Sequence, residues 1–240
     1  CDWSSDVCSS DLPEEVAKTV RLERLRAIAT GVFESAPSTF LLLILVRAFN
    51  GTNAEKSMIA AAYQSGLILT PLTLFLTRRF SWAPSQSMAL LFWLASALYL
   101  LAAVIPSRDA FVVLTSLGSL VVAANSPLLT TMMNSNYPAE RRGLLYSQNN
   151  SIKIGTSVLF GTFAGWALSG RLAYYQVLIV VYAAALAASA LLMWRVPRCG
   201  GALAPRPLLG CFKHIGADRI LRDTLDRKST RLNSSHIPLS

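Results

Sequence analysis

Six hydrophobic runs separated by short polar or basic stretches account for most of the chain between residues 27 and 194. An α-helix of about 20 residues is about 30 Å long, which matches the hydrocarbon thickness of a bilayer. The pattern therefore predicts an all-α membrane protein with six transmembrane helices. The predicted spans are approximately 27–46, 57–76, 88–105, 110–133, 146–169 and 174–194.

Polar residues interrupt four of these runs. The first, second, fourth and fifth runs carry polar residues inside them, whereas the third and sixth have almost none. Such residues are costly in hydrocarbon and face a protein interior or a water-filled cavity. The sequence therefore predicts a polar interior built by four of the helices. It also predicts that the third span faces lipid on most sides.

The interior polar residues are the candidates for a substrate or proton pathway. In the first span they recur at i, i+4 and i+8, which puts them on one helix face, and a similar stripe occurs in the fifth span. The candidates are Thr30, Glu34, Ser38, Tyr63, Gln64, Asn125, Asn149 and Lys153.

Each candidate has an ordinary structural alternative. Glu34 is a candidate proton carrier or cation-binding group, but a carboxylate at this depth is also stabilised by pairing with Lys153 or a hydroxyl. Lys153 is able to attract an anionic solute, to pair with Glu34, or to extend to the inner surface. Interhelical hydrogen bonding is the alternative for Tyr63, Gln64 and Asn125. Pro37 and other prolines inside the runs predict kinks.

Basic residues are distributed unequally between the two sets of connections. Cytoplasmic loops carry the excess of Lys and Arg, so the fuller set predicts that both ends are cytoplasmic. Fourteen lie in that set: Lys18, Arg21, Arg24, Arg26, Arg78, Arg79, Arg141, Arg142, Arg195, Arg198, Arg206, Lys213, Arg219 and Arg222. Only Arg47, Lys56, Arg108 and Arg171 fall in the other.

Two pairs of these arginines are candidates for loop anchoring or gating. They are Arg78 and Arg79 after the second run, and Arg141 and Arg142 between the fourth and fifth. The residues from Pro13 to Arg26 predict a solvated, amphipathic lead-in helix. Gly161 and Gly165, four residues apart in the fifth span, predict close helix packing.

Composition agrees with a membrane protein and excludes several other classes. Hydrophobic residues make up 53% of the chain and charged residues only 15%, against about a quarter in soluble domains. The net charge of +9 reflects loop topology rather than nucleic-acid binding. Cys199, Cys211 and His214 lack metal-site spacing, so we expect no metal or other cofactor.

The amino-acid sequences at both ends of the chain indicate a non-biological origin. Codons can be chosen so that Cys1–Leu12 and Asp226–His236 are encoded by reverse-complementary strings that resemble a sequencing-library adapter. We therefore expect residues 1–12 and 226–240 to be artefact. The remaining chain would be a fragment, with a six-span transmembrane unit at 13–194 and a basic cytoplasmic linker at 195–225.

The arrangement resembles the N-terminal half of a major facilitator superfamily transporter. The carrying features are six spans with short outer turns, the loop Tyr137–Gly143, the glycines of the fifth span and the approach to a seventh span at Pro205–Leu225. Arg78 and Arg79 keep the basic character of that family's loop between spans two and three. Its glycines and aspartate are absent here.

The resemblance implies a fold and a function. The family fold has two six-helix halves, each made of two inverted three-helix repeats, around a cavity that opens alternately to either side. Spans three and six would lie outside. The expected function is secondary active transport of a small solute across the cytoplasmic membrane, with a missing C-terminal half as partner and protons as a candidate coupling ion. The alternatives are a non-transporting membrane scaffold or a membrane-embedded enzyme. One intramembrane carboxylate, one lysine and no histidine argue against the enzyme.

Overall fold

The computed structural model describes residues 14–170 and 174–197, and these residues form helices and no strands. The predicted artefact ends and nearly all of the predicted linker lie outside them. The helices are α1 Glu14–Ser35, α2 Leu41–Phe49, α3 Asn53–Ser65, α4 Thr70–Arg79, α5 Pro84–Val104, α6 Arg108–Ala123, α7 Ser126–Asn136, α8 Arg142–Gly170 and α9 Tyr175–Trp194.

These helices form six consecutive helical segments, one for each predicted hydrophobic run. The first joins α1 to α2 through a π-helical turn at Ala36–Phe40, and the second joins α3 to α4 through a 3₁₀ turn at Gly66–Leu69. The third, fifth and sixth are α5, α8 and α9, and the fourth joins α6 to α7 at Ala124 and Asn125.

Prolines explain the three interruptions. Proline has no amide hydrogen and its ring clashes with the carbonyl four residues earlier, so it breaks or bends a helix. Pro37 lies within the π turn, and Pro71 and Pro127 lie in the first turns of α4 and α7. The prediction that prolines mark kinks is confirmed at these positions.

Four helices of the described chain are long and apolar enough to cross a membrane: Asn53–Arg79, Pro84–Val104, Arg108–Asn136 and Tyr175–Trp194. The prediction of an all-helical, membrane-type chain is confirmed at this level. The first and fifth segments are helical too, but both carry charged or amide side chains along their length, among them Glu34 and Lys153.

The third segment packs on the fourth and the sixth and is half buried, so the prediction that it faces lipid on most sides is wrong. Half of the apolar window of α5 is buried, compared with 22% for residues Asn53–Arg79. α5 packs along α9, and the Ser96 hydroxyl donates to the Ala183 carbonyl at 2.8 Å. Small buried residues such as Ala95 and Ala190 allow this approach. Hydropathy does not distinguish a helix facing lipid from one facing another apolar helix.

Packing between segments follows a regular pattern. The first segment packs on the fifth (α1 on α8), as the second packs on the fourth (α3 on α6). The first also packs on the sixth (α1 on α9), as the third packs on the fourth (α5 on α6). The third and sixth pack on each other. Exchanging the first three segments with the last three reproduces this set of pairings.

Close helix contact occurs at glycines other than those predicted. A Cβ atom on Gly31 would lie 2.5 Å from the Lys153 carbonyl oxygen, and one on Gly66 would overlap the Leu120 carbonyl oxygen. A Cβ atom on Gly161 would make only ordinary contacts, and one on Gly165 would meet nothing within 4 Å. The prediction of close packing at Gly161 and Gly165 is therefore wrong for the described part of the chain.

Candidate functional site

A partly open cavity with a volume of about 100 Å³ lies where five of the helical segments converge. The apolar side chains of Met88 and Phe92 from α5 line it, together with polar groups from the first, second, fourth and fifth segments. Six of the eight predicted pathway residues line this cavity. They are Thr30, Glu34, Tyr63, Asn125, Asn149 and Lys153.

An ion pair joins two helices at the cavity wall. Lys153 Nζ of α8 lies 3.3 Å from Glu34 Oε1 of α1, and the two side chains are 28% and 37% exposed. Of the alternatives open from sequence, pairing between Glu34 and Lys153 is the one found in the structure. Both charged groups remain accessible from the cavity because neither side chain is buried.

The remaining cavity residues occupy distinct environments. Tyr63 is half-buried and close enough to Glu34 to interact with it electrostatically. Asn125 is buried, its Nδ2 lies 3.5 Å from the Val121 carbonyl oxygen, and its Oδ1 has no hydrogen-bond partner among the described residues. The Thr30 hydroxyl donates to the Arg26 carbonyl at 2.9 Å within α1, and Asn149 is buried on α8.

Helix interruptions coincide with the polar lining. The π turn begins two residues after Glu34, the 3₁₀ turn begins three residues after Tyr63, and Asn125 itself lies in the break between α6 and α7. Such irregular turns inside helices are frequent at functional sites, because they redirect side chains and loosen the backbone ladder. The polar residues and the prolines of these segments thus belong to the same region.

The other predicted residues are not brought to the cavity. Gln64 is exposed and does not line it, and the side chain of Ser38 lies outside the described part of the structure. Arg142 anchors the loop after α7, since its Nη2 donates to the carbonyls of Asn134 at 3.0 Å and Tyr137 at 3.3 Å. Arg78 and Arg141 are half-buried and Arg79 is exposed, and gating by these arginines stays a prediction.

A second ion pair was missed from sequence. Arg26 Nε and Nη2 donate to the two carboxylate oxygens of Glu23 at 2.9 and 2.8 Å, and both residues are buried. The prediction of a solvated lead-in is therefore wrong for these two residues. The sequence signal for this pair was the presence of opposite charges three positions apart, directly before a hydrophobic run. Arg26 also lines the cavity.

The Glu23–Arg26 pair lies beside the loop between the fourth and fifth segments. Burial raises the pKa of the Tyr137 phenol above its ordinary value, and the Glu23 carboxylate raises it further. Next to this pair, the exposed Arg24 donates from Nη2 to Gln148 Oε1 of α8 at 3.3 Å. The Arg24 side chain of α1 is therefore tied to α8 by a polar contact.

No family model, curated protein or solved structure matches the chain. The residues that the structure describes contain no group of three or more His, Cys, Asp or Glu side chains suited to a metal ion. The functional interpretation therefore rests on the cavity and its ion pair.

Proposed function

We propose that the chain is a six-helix half of a secondary active transporter that moves a small solute across the cytoplasmic membrane. The observation that carries this proposal is the convergence of six predicted polar residues from four helical segments on one partly open cavity. Polar residues scattered only to hold helices together would not need to share a cavity. Polar groups around an open space in a membrane protein instead serve a solute or ion.

The pairing pattern supports an inverted-repeat architecture of the major facilitator type. Exchange of the first three segments with the last three preserves the five pairings described above. The interruption after Glu34 in the first segment also has a counterpart at Asn125 in the fourth. Transporters of this architecture bind solutes at the interface between repeats, where helices are broken. Asn125 in the second of these breaks lines the cavity, and the π turn begins two residues after Glu34, which also lines it.

An exposed apolar face on α8 is available to lipid or to a further partner of this half. Its large side chains range from 52% to 75% exposed and recur at helical spacing: Ile154, Val158, Leu159, Phe163 and Trp166. In the proposed transporter this face contacts lipid or the C-terminal six-helix half. The unequal distribution of basic residues orients the unit with both ends in the cytoplasm.

Glu34 is the proposed proton-coupling group. Protonation of its carboxyl group removes the charge that holds Lys153, and deprotonation restores the pair. Proton binding on one side of the membrane is thereby linked to the contact between α1 and α8. Membrane-embedded carboxylates in pumps and transporters commonly carry protons in this way.

The test is uptake by the intact protein reconstituted in proteoliposomes with an imposed pH gradient. Accumulation of a small solute above protein-free vesicles is expected, and it should collapse with a protonophore. A folded, monodisperse preparation that accumulates none of a broad panel of amino acids, sugars, amines and organic acids would instead favour the non-transporting scaffold. Product formation without accumulation would favour the enzyme.

A further inference from the structure

Glu34 borders two cavities. Glu34 lines the first cavity described above and also a second, of about 470 Å³, between the π turn and α8. The second cavity is further lined by Ser35, Phe40 and Ser157. The Glu34 carboxylate is therefore within reach of a solute in either cavity, whereas Lys153 lines only the first.

The charged side chains that line the first cavity, counted together with Glu23, have no net charge. Its charged lining residues are Arg26, Glu34 and Lys153, and Glu23 already neutralises Arg26 through two hydrogen bonds. One accessible carboxylate and one accessible ammonium group remain. A solute with a single charge would pair with one of them and leave the other unpaired, which is costly in a region of low dielectric constant. A solute with both charges leaves neither unpaired.

We propose that this cavity binds a small zwitterion whose ammonium and carboxylate groups are a few ångströms apart, as in an α-amino acid. The solute ammonium pairs with Glu34, the solute carboxylate pairs with Lys153, and the pair between these two residues opens. The proposal rests on the proposed transport function and names its substrate class. No covalent step is involved.

Three observations support this exchange of partners. The existing contact of 3.3 Å engages one of the three donors of the ammonium group, so Lys153 has capacity for a second acceptor. The buried Asn125 Oδ1, without a partner among the described residues, is able to accept a further hydrogen bond from the solute ammonium. The volume of about 100 Å³ favours solutes with few non-hydrogen atoms.

The experiment measures equilibrium binding of three related probes to the intact protein in detergent. Alanine carries both charges, ethylamine lacks the carboxylate, and propionate lacks the amine. We expect saturable binding of alanine and at least tenfold weaker binding of the other two. Glu34→Gln should weaken alanine binding and shift the preference of the site toward propionate. Lys153→Gln should shift the preference toward ethylamine.

The control is a second accessible ion pair of the same chain. Arg108 Nε lies 3.1 Å from Glu55 Oε1, and neither residue lines the cavity. Glu55→Gln should leave the ranking of the three probes unchanged. The reversed pair, Glu34→Lys with Lys153→Glu, should recover part of the alanine binding if the single variants lose it by charge rather than by misfolding.

The outcomes separate this proposal from the transport proposal. Equal affinity for all three probes, or unchanged alanine binding in folded Glu34→Gln, would overturn the zwitterion site. Uptake of another solute by a protein that does not bind alanine would overturn it too, while transport would stand. Alanine binding without uptake of any solute would keep the site and overturn transport.

Discussion

Gly31 lies directly against the main-chain carbonyl of Lys153, the residue whose ammonium group holds Glu34. A Cβ atom at Gly31 would also lie 2.8 Å from the Thr156 side chain. On α8 the contact with Gly31 is therefore formed by a main-chain carbonyl and a short side chain, and neither can move away easily. The close approach of α1 and α8 and the ion pair at the cavity depend on the same few residues.

Gly31→Ala should separate α1 from α8. The added methyl group would meet the Lys153 carbonyl, so the helices must shift, and overpacking of this kind typically costs about 1–3 kcal/mol. We expect a lower midpoint of thermal unfolding in detergent and altered solute binding. The matched control is Gly155→Ala on α8, where an added Cβ meets nothing within 4 Å. A control variant as unstable as Gly31→Ala would contradict the packing explanation.

Removal of Arg26 should be more damaging than removal of its neighbour Arg24. Arg26→Gln leaves the buried Glu23 carboxylate unpaired, and breaking a buried pair in this way costs about 3–5 kcal/mol. Arg24 is exposed and makes one hydrogen bond, so Arg24→Gln should change stability little. The yield of folded, monodisperse protein and its unfolding midpoint measure the difference. The double variant Glu23→Gln/Arg26→Gln should recover much of the loss, because no lone charge remains.

Orientation predicts which positions are accessible from outside the cell. In a background without the native cysteines, Asn53→Cys should react with an impermeant maleimide applied to intact cells. Arg141→Cys should react only after permeabilisation. External labelling of Arg141→Cys in sealed cells would reverse the proposed orientation.

Glu34→Gln tests proton coupling in the intact protein. Glutamine keeps the shape of the side chain but does not titrate, so gradient-driven accumulation should be lost. Exchange of solute for solute needs no net proton movement, so it should persist at a reduced level that reflects the weaker solute binding of this variant. Both activities are measured per amount of folded protein in the membrane. Unchanged proton-driven accumulation would exclude the carrier role. An equal loss of accumulation and exchange would leave solute binding as the sole role of Glu34.

The sequence predicted the helices and six of the polar residues that line the cavity, for a physical reason. Charged and amide groups are so unfavourable in hydrocarbon that their presence in an apolar run already implies a shared polar space. That argument holds for Glu34, Asn125 and Lys153. It is weaker for Gln64, which is exposed in the described structure.

Packing was less predictable, because it depends on shape rather than on polarity. α5 is apolar all around, which is compatible either with lipid or with the apolar α9. Gly31 and Gly165 both lie inside predicted hydrophobic runs, yet of the two only Gly31 lies against the backbone of another helix. The buried Glu23–Arg26 pair was assigned to solvent because charged residues are rarely buried. Its three-residue spacing is the sequence feature that is consistent with mutual neutralisation.

The Glu23–Arg26 and Glu34–Lys153 ion pairs differ in when they form during synthesis. Glu23 and Arg26 are three positions apart on one helix, so their charges cancel as soon as α1 forms. Lys153 is made about 120 positions after Glu34. At roughly 5–20 residues per second, this means an interval of roughly ten seconds. For a chain inserted as it is translated, Glu34 therefore reaches the membrane well before its partner exists, and the first helix cannot reach its final environment until the fifth arrives.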